Sequence, residues 1–419
     1  MISLFDLVAG LLCLTAAFAW LNQTVIRLPN TIGVLVMGLA ASVLLLLFEL
    51  IRPDVELYAE LTSALRQVDF YDAVINGMLA FLLFAGALHV DFSRLRNRAA
   101  VVGVMATLGV ALSTALVGVS FWYAANHVFG VPLSLAWALV FGALISPTDP
   151  IAVLGTLKEA RVPENLETDM AGESLFNDGV GVVLFTILLA AAMGSGGNID
   201  LQLTMRLLFV EAVGGALLGL AGGYVAYRAM RWIDDYAIEV LISIALVMGT
   251  YALAHHLRVS GPIAVVVAGL LIGERGPAYA MSDLTQRYLF GFWTLTDEIL
   301  NSMLFLLIGL EVLVISFRPE FGVLAAVAVP LTLIARTIAV ALPVSLMSIR
   351  YKFVKGTIPI LVWGGVRGGI SIALALSIPD VAAKPVIVTA TYVVVLFTLV
   401  VQGLTLKSLA PRFCTTDGK

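Results

Sequence analysis

A carboxylate and a hydroxyl lie beside two prolines in the middle of an apolar stretch, where residues 146–150 read SPTDP. Proline has no amide hydrogen, so each proline deprives the carbonyl four residues earlier of its helical partner. Free carbonyls beside Thr148 and Asp149 form a set of oxygen ligands of the kind that hard cations prefer. This segment predicts an interrupted helix lining a cation-binding cavity. A proline kink with a carboxylate reaching toward water is the alternative.

A second polar segment, GESLFNDG, occupies residues 172–179 of another apolar stretch. On a helix, Ser174 and Asp178 are four residues apart and share one face, whereas Glu173 and Asn177 form the adjacent pair. We expect the first pair to complete an oxygen cage with Thr148 and Asp149, which suits small hard cations. Polar packing between membrane helices is the alternative.

Two arginines also lie in apolar surroundings: Arg336 in LIARTIAV (333–340) and Arg367 in WGGVRGG (363–369). Buried arginines usually neutralise carboxylates through paired hydrogen bonds. Glu173 therefore needs a cationic partner, and either arginine could supply it. A purely structural ion pair, without contact to any ion, explains the arginines equally well.

The composition indicates which environment holds these residues. Of the 419 residues, 60% are hydrophobic and 12% are charged, about half the charged fraction of ordinary soluble domains. The chain therefore belongs in lipid. Thirteen apolar runs are long enough to span a bilayer: about 3–21, 31–50, 72–90, 99–125, 133–157, 169–193, 205–230, 236–256, 260–274, 288–316, 321–348, 356–378 and 383–406.

The basic residues predict an orientation. With the N-terminus outside, sixteen of the 24 Lys and Arg residues, Arg98 among them, fall in loops on the inner side. Six fall outside, and Arg336 and Arg367 lie within spans. Cytoplasmic loops carry such an excess, so we expect an external N-terminus and a cytoplasmic C-terminus.

The two interrupted segments, in the fifth and twelfth spans, occupy different halves of the chain. Broken helices in corresponding halves are typical of inverted repeats with a binding site near the bilayer midplane. The sequence thus predicts an all-α polytopic membrane protein of about thirteen transmembrane helices.

Five strings resemble the sodium/proton exchanger family, in the NhaP-type branch of the monovalent cation/proton antiporter superfamily. They are ISPTDPIAVL (145–154), GESLFNDGVGVVLF (172–185), DEILNSMLFLLIGLEV (297–312), LIARTIAV (333–340) and WGGVRGGISIALALSIP (363–379). The resemblance implies the Na⁺/H⁺ antiporter fold, in which two interrupted helices cross. It implies a homodimer with a dimerisation bundle and a six-helix core, the core motifs lying at 72–193 and 288–378. We expect residues 1–419 to form one transmembrane domain without a soluble C-terminal regulatory domain.

The resemblance also implies roles for particular residues. The expected ion-binding residues are Asp178, Asp149, Thr148, Ser174 and Asn177, with Na⁺ at the first four. The family's acidic residue at the position of Glu173 pairs with an arginine, which the string context identifies as Arg336. Arg367 would be a second, supporting charge.

One position departs from the family pattern. Many bacterial members have a glutamate in the third span, in a string like LFEGALNLD. Here the string is LFAGALHVD (83–91), with Ala85 at that position. The site therefore lacks one ligand or gating group, which leaves the ion affinity and selectivity open. We expect Glu298 and Asn301 of the tenth span to line the passage.

The expected activity is secondary transport, not enzymatic catalysis. Asp178 would bind either a cation or a proton, and only an occupied site would cross the membrane, since a bare charge in lipid is costly. The substrates would be Na⁺ or Li⁺ and H⁺, without cofactor or nucleic acid, in a bacterial inner membrane, serving sodium and pH homeostasis. The alternatives are a K⁺/H⁺ or mixed-cation exchanger, an ion channel, which would need a selectivity filter, and an intramembrane hydrolase.

Overall fold

A computed structural model describes residues 4–51, 70–149, 162–194, 201–313 and 319–413. Within these ranges the regular structure is helical, and no strand occurs. The α-helices are α1 Leu4–Leu21, α2 Asn30–Ile51, α3 Leu79–Leu88, α4 Phe92–Val104, α5 Val110–Tyr123, α6 Leu135–Ile145, α7 Glu164–Met193, α8 Leu201–Met230, α9 Tyr236–Leu257, α10 Gly261–Tyr279, α11 Asp283–Glu311, α12 Gly322–Met347, α13 Thr357–Trp363, α14 Gly369–Leu376, α15 Lys384–Phe397 and α16 Gly403–Phe413.

The helices account for the predicted spans. Ten helical stretches of the described residues have the length and apolar composition needed to cross a membrane. The other three predicted spans correspond to shorter apolar elements: Asp72–Leu88, Leu135–Ile145 and the pair α13 and α14. The predicted all-α polytopic architecture is confirmed. The last part of the fifth predicted span, 150–157, and Pro150 itself lie outside the described residues.

Several helices are joined by π-helical turns, in which each turn holds an extra residue. These segments are Asn22–Ile26, Asp72–Met78, Met105–Gly109, Ala124–Val128 and Thr398–Gln402. One 3₁₀ turn, Pro319–Phe321, precedes α12. Such π turns often occur at functional sites, and the last one lies against the break between α13 and α14, as its hydrogen bonds show below.

Both predicted helix breaks are present. Helix α6 ends at Ile145, two residues before Pro147, because proline cannot continue the hydrogen-bond ladder. Helix α13 ends at Trp363, and α14 begins at Gly369, leaving five non-helical residues between them. The two breaks cross, since the backbone N–H of Asp149 donates to the carbonyl of Val366 at 2.8 Å.

Helix packing places the breaks on one side of a cavity. Helix α6 packs between α5 and α7, and α14 packs against α15 and also contacts α6. Helix α11 packs against α2, α3 and α9. The cavity lies between these two sets of helices, because residues of α3, α7, α11 and α14 all line it.

Candidate functional site

The freed carbonyls of the first break are bound by a side chain. One guanidinium nitrogen of Arg367, Nη1, donates to the carbonyl oxygens of Ser146 and, at 2.8 Å, of Pro147. The backbone N–H of Arg367 donates to the Thr398 hydroxyl at 3.1 Å, within the last π-helical turn. The sequence predicts that these carbonyls are ligands for a hard cation that enters from solution. In the structure the cation beside them is the guanidinium, and burial without such a partner would be costly for both groups.

Side chains of helix α7 also form hydrogen bonds with this first break. The amide of Asn177 accepts from the Thr148 N–H at 3.3 Å and donates to the Thr148 hydroxyl at 2.8 Å. The Ser174 hydroxyl donates to the Thr148 carbonyl. Ser174 thus meets Thr148, and so does Asn177, which the residue spacing assigns to the adjacent pair with Glu173. Asn177 engages Thr148 with both ends of its amide and so orients that hydroxyl.

Asp149 and Asp178 both line one cavity of about 550 Å³. Asp178 comes from α7, and Asp149 follows the end of α6. Thr148 and Gly368 line the same wall. A Cβ at Gly368 would overlap the Asp149 carboxylate, so glycine allows the second break to approach it. A carboxylate pair beside a hydroxyl, in a cavity open to solvent, can bind a hard cation or a proton.

Glu173 is not among the residues that line this cavity, and it has its own partner. Both terminal guanidinium nitrogens of Arg336, Nη1 and Nη2, donate to its carboxylate, Nη2 at 3.0 Å. Nη2 also donates to the carbonyl of Leu361 at 3.0 Å. Both side chains are buried, and a Cβ at Gly365 would strike the Arg336 side chain. The structure thus brings Glu173 to Arg336 and places Arg367 at the freed carbonyls.

Charged residues surround the outer part of the cavity. Asp91 precedes α4, and Arg94 forms ion pairs with Asp91 at 3.0 Å and with Glu164 at 2.7 Å. Hydrogen bonds from the Ser93 hydroxyl and from the Arg94 backbone N–H lower the pKa of Asp91. Asp91 therefore stays ionised at neutral pH and contributes a constant negative charge where the cavity meets the loops.

A second buried ion pair was not predicted. Arg98 forms a paired hydrogen bond with Asp169 of α7, one contact measuring 2.7 Å. Its guanidinium also lies over the Phe353 ring, 4.9 Å from the centroid. The prediction that Arg98 lies in a loop is wrong, because helix α4 begins at Phe92 and buries that arginine. Its sequence context, RNRAA, resembles any basic flank of a membrane helix, so only the acidic residue at the start of the sixth span could have indicated the pair.

The cavity wall around Ala85 has no acidic residue from α3 itself, whose sequence is LAFLLFAGAL. Across the cavity, the structure places Glu298 and Asn301 on its wall, where the sequence analysis expects them, together with Asp297. Asp297 was missed although it opens one of the five quoted strings. The carboxylate of α11 nearest to Asn301 is thus Asp297, which accepts a hydrogen bond from that amide.

Comparison with known proteins decides the family. Residues 13–411 match the family model described as "Sodium/hydrogen exchanger, transmembrane". This chain belongs to the sodium/hydrogen exchanger family. The sequence resemblance is thereby confirmed, and two of the five resembling strings, at 145–154 and 363–379, contain the two helix breaks.

Individual relatives agree with this assignment. The exchanger chain is 45% identical to the Na⁺/H⁺ antiporter NhaP of Pseudomonas aeruginosa over 98% of its own length and 97% of the relative's. It is 37% identical to the Na⁺/H⁺ antiporter NhaH of Halobacillus dabanensis, with 92% of each chain covered. Its fold matches the sodium proton antiporter MjNhaP1 of Methanocaldococcus jannaschii with a TM-score of 0.77, at 19% identity, covering 98% and 99% of the two chains. The antiporter fold is therefore shown.

Proposed function

We propose that this protein is a secondary active antiporter that exchanges Na⁺, or alternatively Li⁺, for H⁺ across a bacterial cell membrane. The observation that carries the proposal is the convergence of Asp149, from the first helix break, and Asp178, from α7, on one cavity beside the crossing of the two breaks. The activity named for the relatives, sodium/proton antiport, supports the same substrates.

Competition for one site provides the coupling. Asp178 binds Na⁺ together with Asp149, Thr148 and Ser174, or it binds a proton, and the two occupants exclude each other. Crossing the membrane with an ionised, unoccupied site would expose a bare charge to low dielectric. The carrier therefore returns only when occupied, and the downhill flow of one ion drives the other uphill.

The fold supports alternating access. Helices α4–α7 and α12–α16 together make six membrane spans and hold the crossing. We propose that these six spans move as the core. The core motifs expected at 72–193 and 288–378 also include α3 and most of α11, which we assign instead to a bundle with α2 and α8–α10. The bundle would also supply the interface of a homodimer. In this assignment the N-terminus lies outside and the C-terminus lies in the cytoplasm, which places the cavity mouth near Asp91 on the cytoplasmic side.

Fixed charges keep the exchange at one proton for each cation. Asn177 occupies the position beside Asp178 and cannot titrate. Glu173 is neutralised by Arg336. The N-terminus of α14, the positive end of its macrodipole, follows Gly368 and faces Asp149, which favours negative charge there. One carboxylate, Asp178, is then left to exchange its proton.

Transport by purified protein in proteoliposomes tests this function. Under a pH gradient, external Na⁺ or Li⁺ should move protons out of the wild-type vesicles, whereas K⁺ should be much less effective. K⁺ as the preferred ion would replace the proposal with K⁺/H⁺ exchange. Currents in a single-channel recording would replace it with a channel.

Asp178→Asn should abolish both Na⁺ uptake and coupled proton movement, because the amide can neither release a proton nor balance a cation. The variant should elute from a size-exclusion column as the wild type does. Exchange above about a tenth of the wild-type rate would remove Asp178 from its assigned role. Glu274→Gln, an exposed position outside the cavity, serves as the control and should transport normally.

A further inference from the structure

Asn301 presents an acceptor atom that is not used by the helices around it. Its side-chain Nδ2 donates to the carbonyl of Asp297 at 2.8 Å and to the Asp297 carboxylate at 3.0 Å. Asn301 is 1% exposed, and within the described residues its Oδ1 has no hydrogen-bond donor. The amide cannot be turned around, because Oδ1 would then face two acceptors.

Asn301, which carries this acceptor, belongs to a wall of the cavity that also contains acidic residues. Asn301, Asp297 and Glu298 all line the cavity that contains Asp149 and Asp178. Asp297 is only partly buried and is one of the residues that line the cavity. A buried carbonyl-type oxygen one helical turn from a carboxylate requires a donor or a cation, and oxygen ligands of this type suit hard cations.

The position of this pair differs from that of the exchanging site. Asp149 and Asp178 belong to the crossing and to α7, whereas Asp297 and Asn301 belong to α11, which packs against α2, α3 and α9. The neighbouring wall from α3 contributes Ala85 and no acidic residue, whereas α11 contributes two, Asp297 and Glu298.

We propose that Asp297 and Asn301 form a second, transit site for the monovalent cation on α11. The Asp297 carboxylate and Asn301 Oδ1 bind the partly hydrated cation before it reaches Asp149 and Asp178. The role of this site depends on the proposed cation/proton exchange, but cation binding to it can be measured without transport. Because it lies on the bundle, it raises the local cation concentration without moving with the core.

Kinetics separate this role from a structural one. Asp297→Asn removes the charge but leaves an amide oxygen that can still accept from Asn301, so a purely structural contact survives. With Na⁺ varied against choline at constant ionic strength, the variant should raise the KM for Na⁺ about tenfold and leave kcat within twofold of wild type. Asp283→Asn makes the same change at the exposed start of α11 and should leave both parameters unchanged.

Two kinetic results would overturn the site. A KM within twofold of wild type, or a loss confined to kcat, would mean that Asp297 does not bind the entering cation. An equal KM rise in Glu298→Gln would assign the effect to the overall charge of the cavity. Asn301→Ala keeps the Asp297 carboxylate and removes the Oδ1 acceptor, so it should also raise the KM for Na⁺. This variant replaces Asp297→Asn in the test if Asp297→Asn does not fold.

Binding to the detergent-solubilised protein tests the site without transport. In the Asp178→Asn background, Na⁺ should still raise the melting temperature relative to choline, and adding Asp297→Asn should remove that effect. Loss of all Na⁺-dependent stabilisation in Asp178→Asn alone would contradict a second site. Wild-type vesicles that fail to exchange Na⁺ for H⁺ would refute the proposed function, while this binding result would still decide the site.

Discussion

At the scale of single residues, the buried pair of Glu173 and Arg336 provides the most direct test of the interior. Removing either partner leaves the other as an uncompensated buried charge. Breaking a buried pair in this way lowers the free energy of unfolding by about 3–5 kcal/mol. Glu173→Ala and Arg336→Ala should therefore each lower the melting temperature strongly. The double variant should be less destabilised than the sum of the two, because no orphaned charge remains.

A thermal-shift measurement on all four proteins of this cycle gives the coupling. Additive losses would mean that the two side chains do not interact in the membrane-embedded protein, and Arg367→Ala would then be the next variant to combine with Glu173→Ala. Arg258, an exposed residue at the end of α9, offers a control charge that should not couple to Glu173.

Residue spacing predicted part of this interior and missed part of it. The four-residue interval between Ser174 and Asp178 correctly predicts a shared face, because helical periodicity depends only on sequence separation. The arginine that pairs with Glu173 is determined by the packing of helices that are far apart in the sequence. Local residue spacing carries no information about that packing. Arg98 was missed for the same reason: its partner Asp169 is 71 residues away.

At the scale of elements, the second helix break depends on the absence of a side chain at Gly368. Its backbone is extended, with φ −116°, so alanine is conformationally allowed there. The added methyl group, however, would occupy the space of the Asp149 carboxylate. Gly368→Ala should therefore reduce Na⁺-driven proton flux at least tenfold while the protein still folds.

Gly103→Ala is the matched control for this prediction. A Cβ at Gly103 meets nothing within 4 Å, and alanine is the better helix former by about 1 kcal/mol. Its transport should equal that of the wild type, with equal or greater thermal stability. Flux in Gly368→Ala equal to that of Gly103→Ala would show that the Asp149 carboxylate can move away without loss.

The elements themselves were predicted with uneven success. Apolar run length located the helices, because the thickness of lipid sets their length. Proline and the glycine-rich WGGVRGG string located the breaks, since both weaken a helix by local chemistry. The π-helical turns carry no comparable signal: Met105–Gly109 reads MATLG, which also fits an ordinary helix, and packing with neighbours decides the extra residue.

At the scale of the whole molecule, the fixed charges predict electroneutral exchange. If one proton leaves Asp178 for each cation bound, no net charge crosses the membrane in a cycle. The exchange rate in proteoliposomes should then stay constant when valinomycin and K⁺ gradients set the membrane potential to opposite signs. The pH and Na⁺ gradients are held constant throughout.

An electrogenic antiporter in the same vesicles provides the positive control and should respond to the potential. A systematic change in the rate of this protein with the sign of the potential would mean that charge moves. Asp149 and Asp297 would then be the first residues to examine as additional titrating groups.

The hydrogen bond between the Asp149 N–H and the Val366 carbonyl has a consequence for mutational tolerance. It joins the two breaks through main-chain atoms, which every amino acid except proline supplies at position 149, and which every residue supplies at position 366. In a saturation-mutagenesis screen for salt resistance, position 366 should accept other small apolar residues, limited by its buried volume. Divergent sequences can thus retain the same crossing while the side chains around it change.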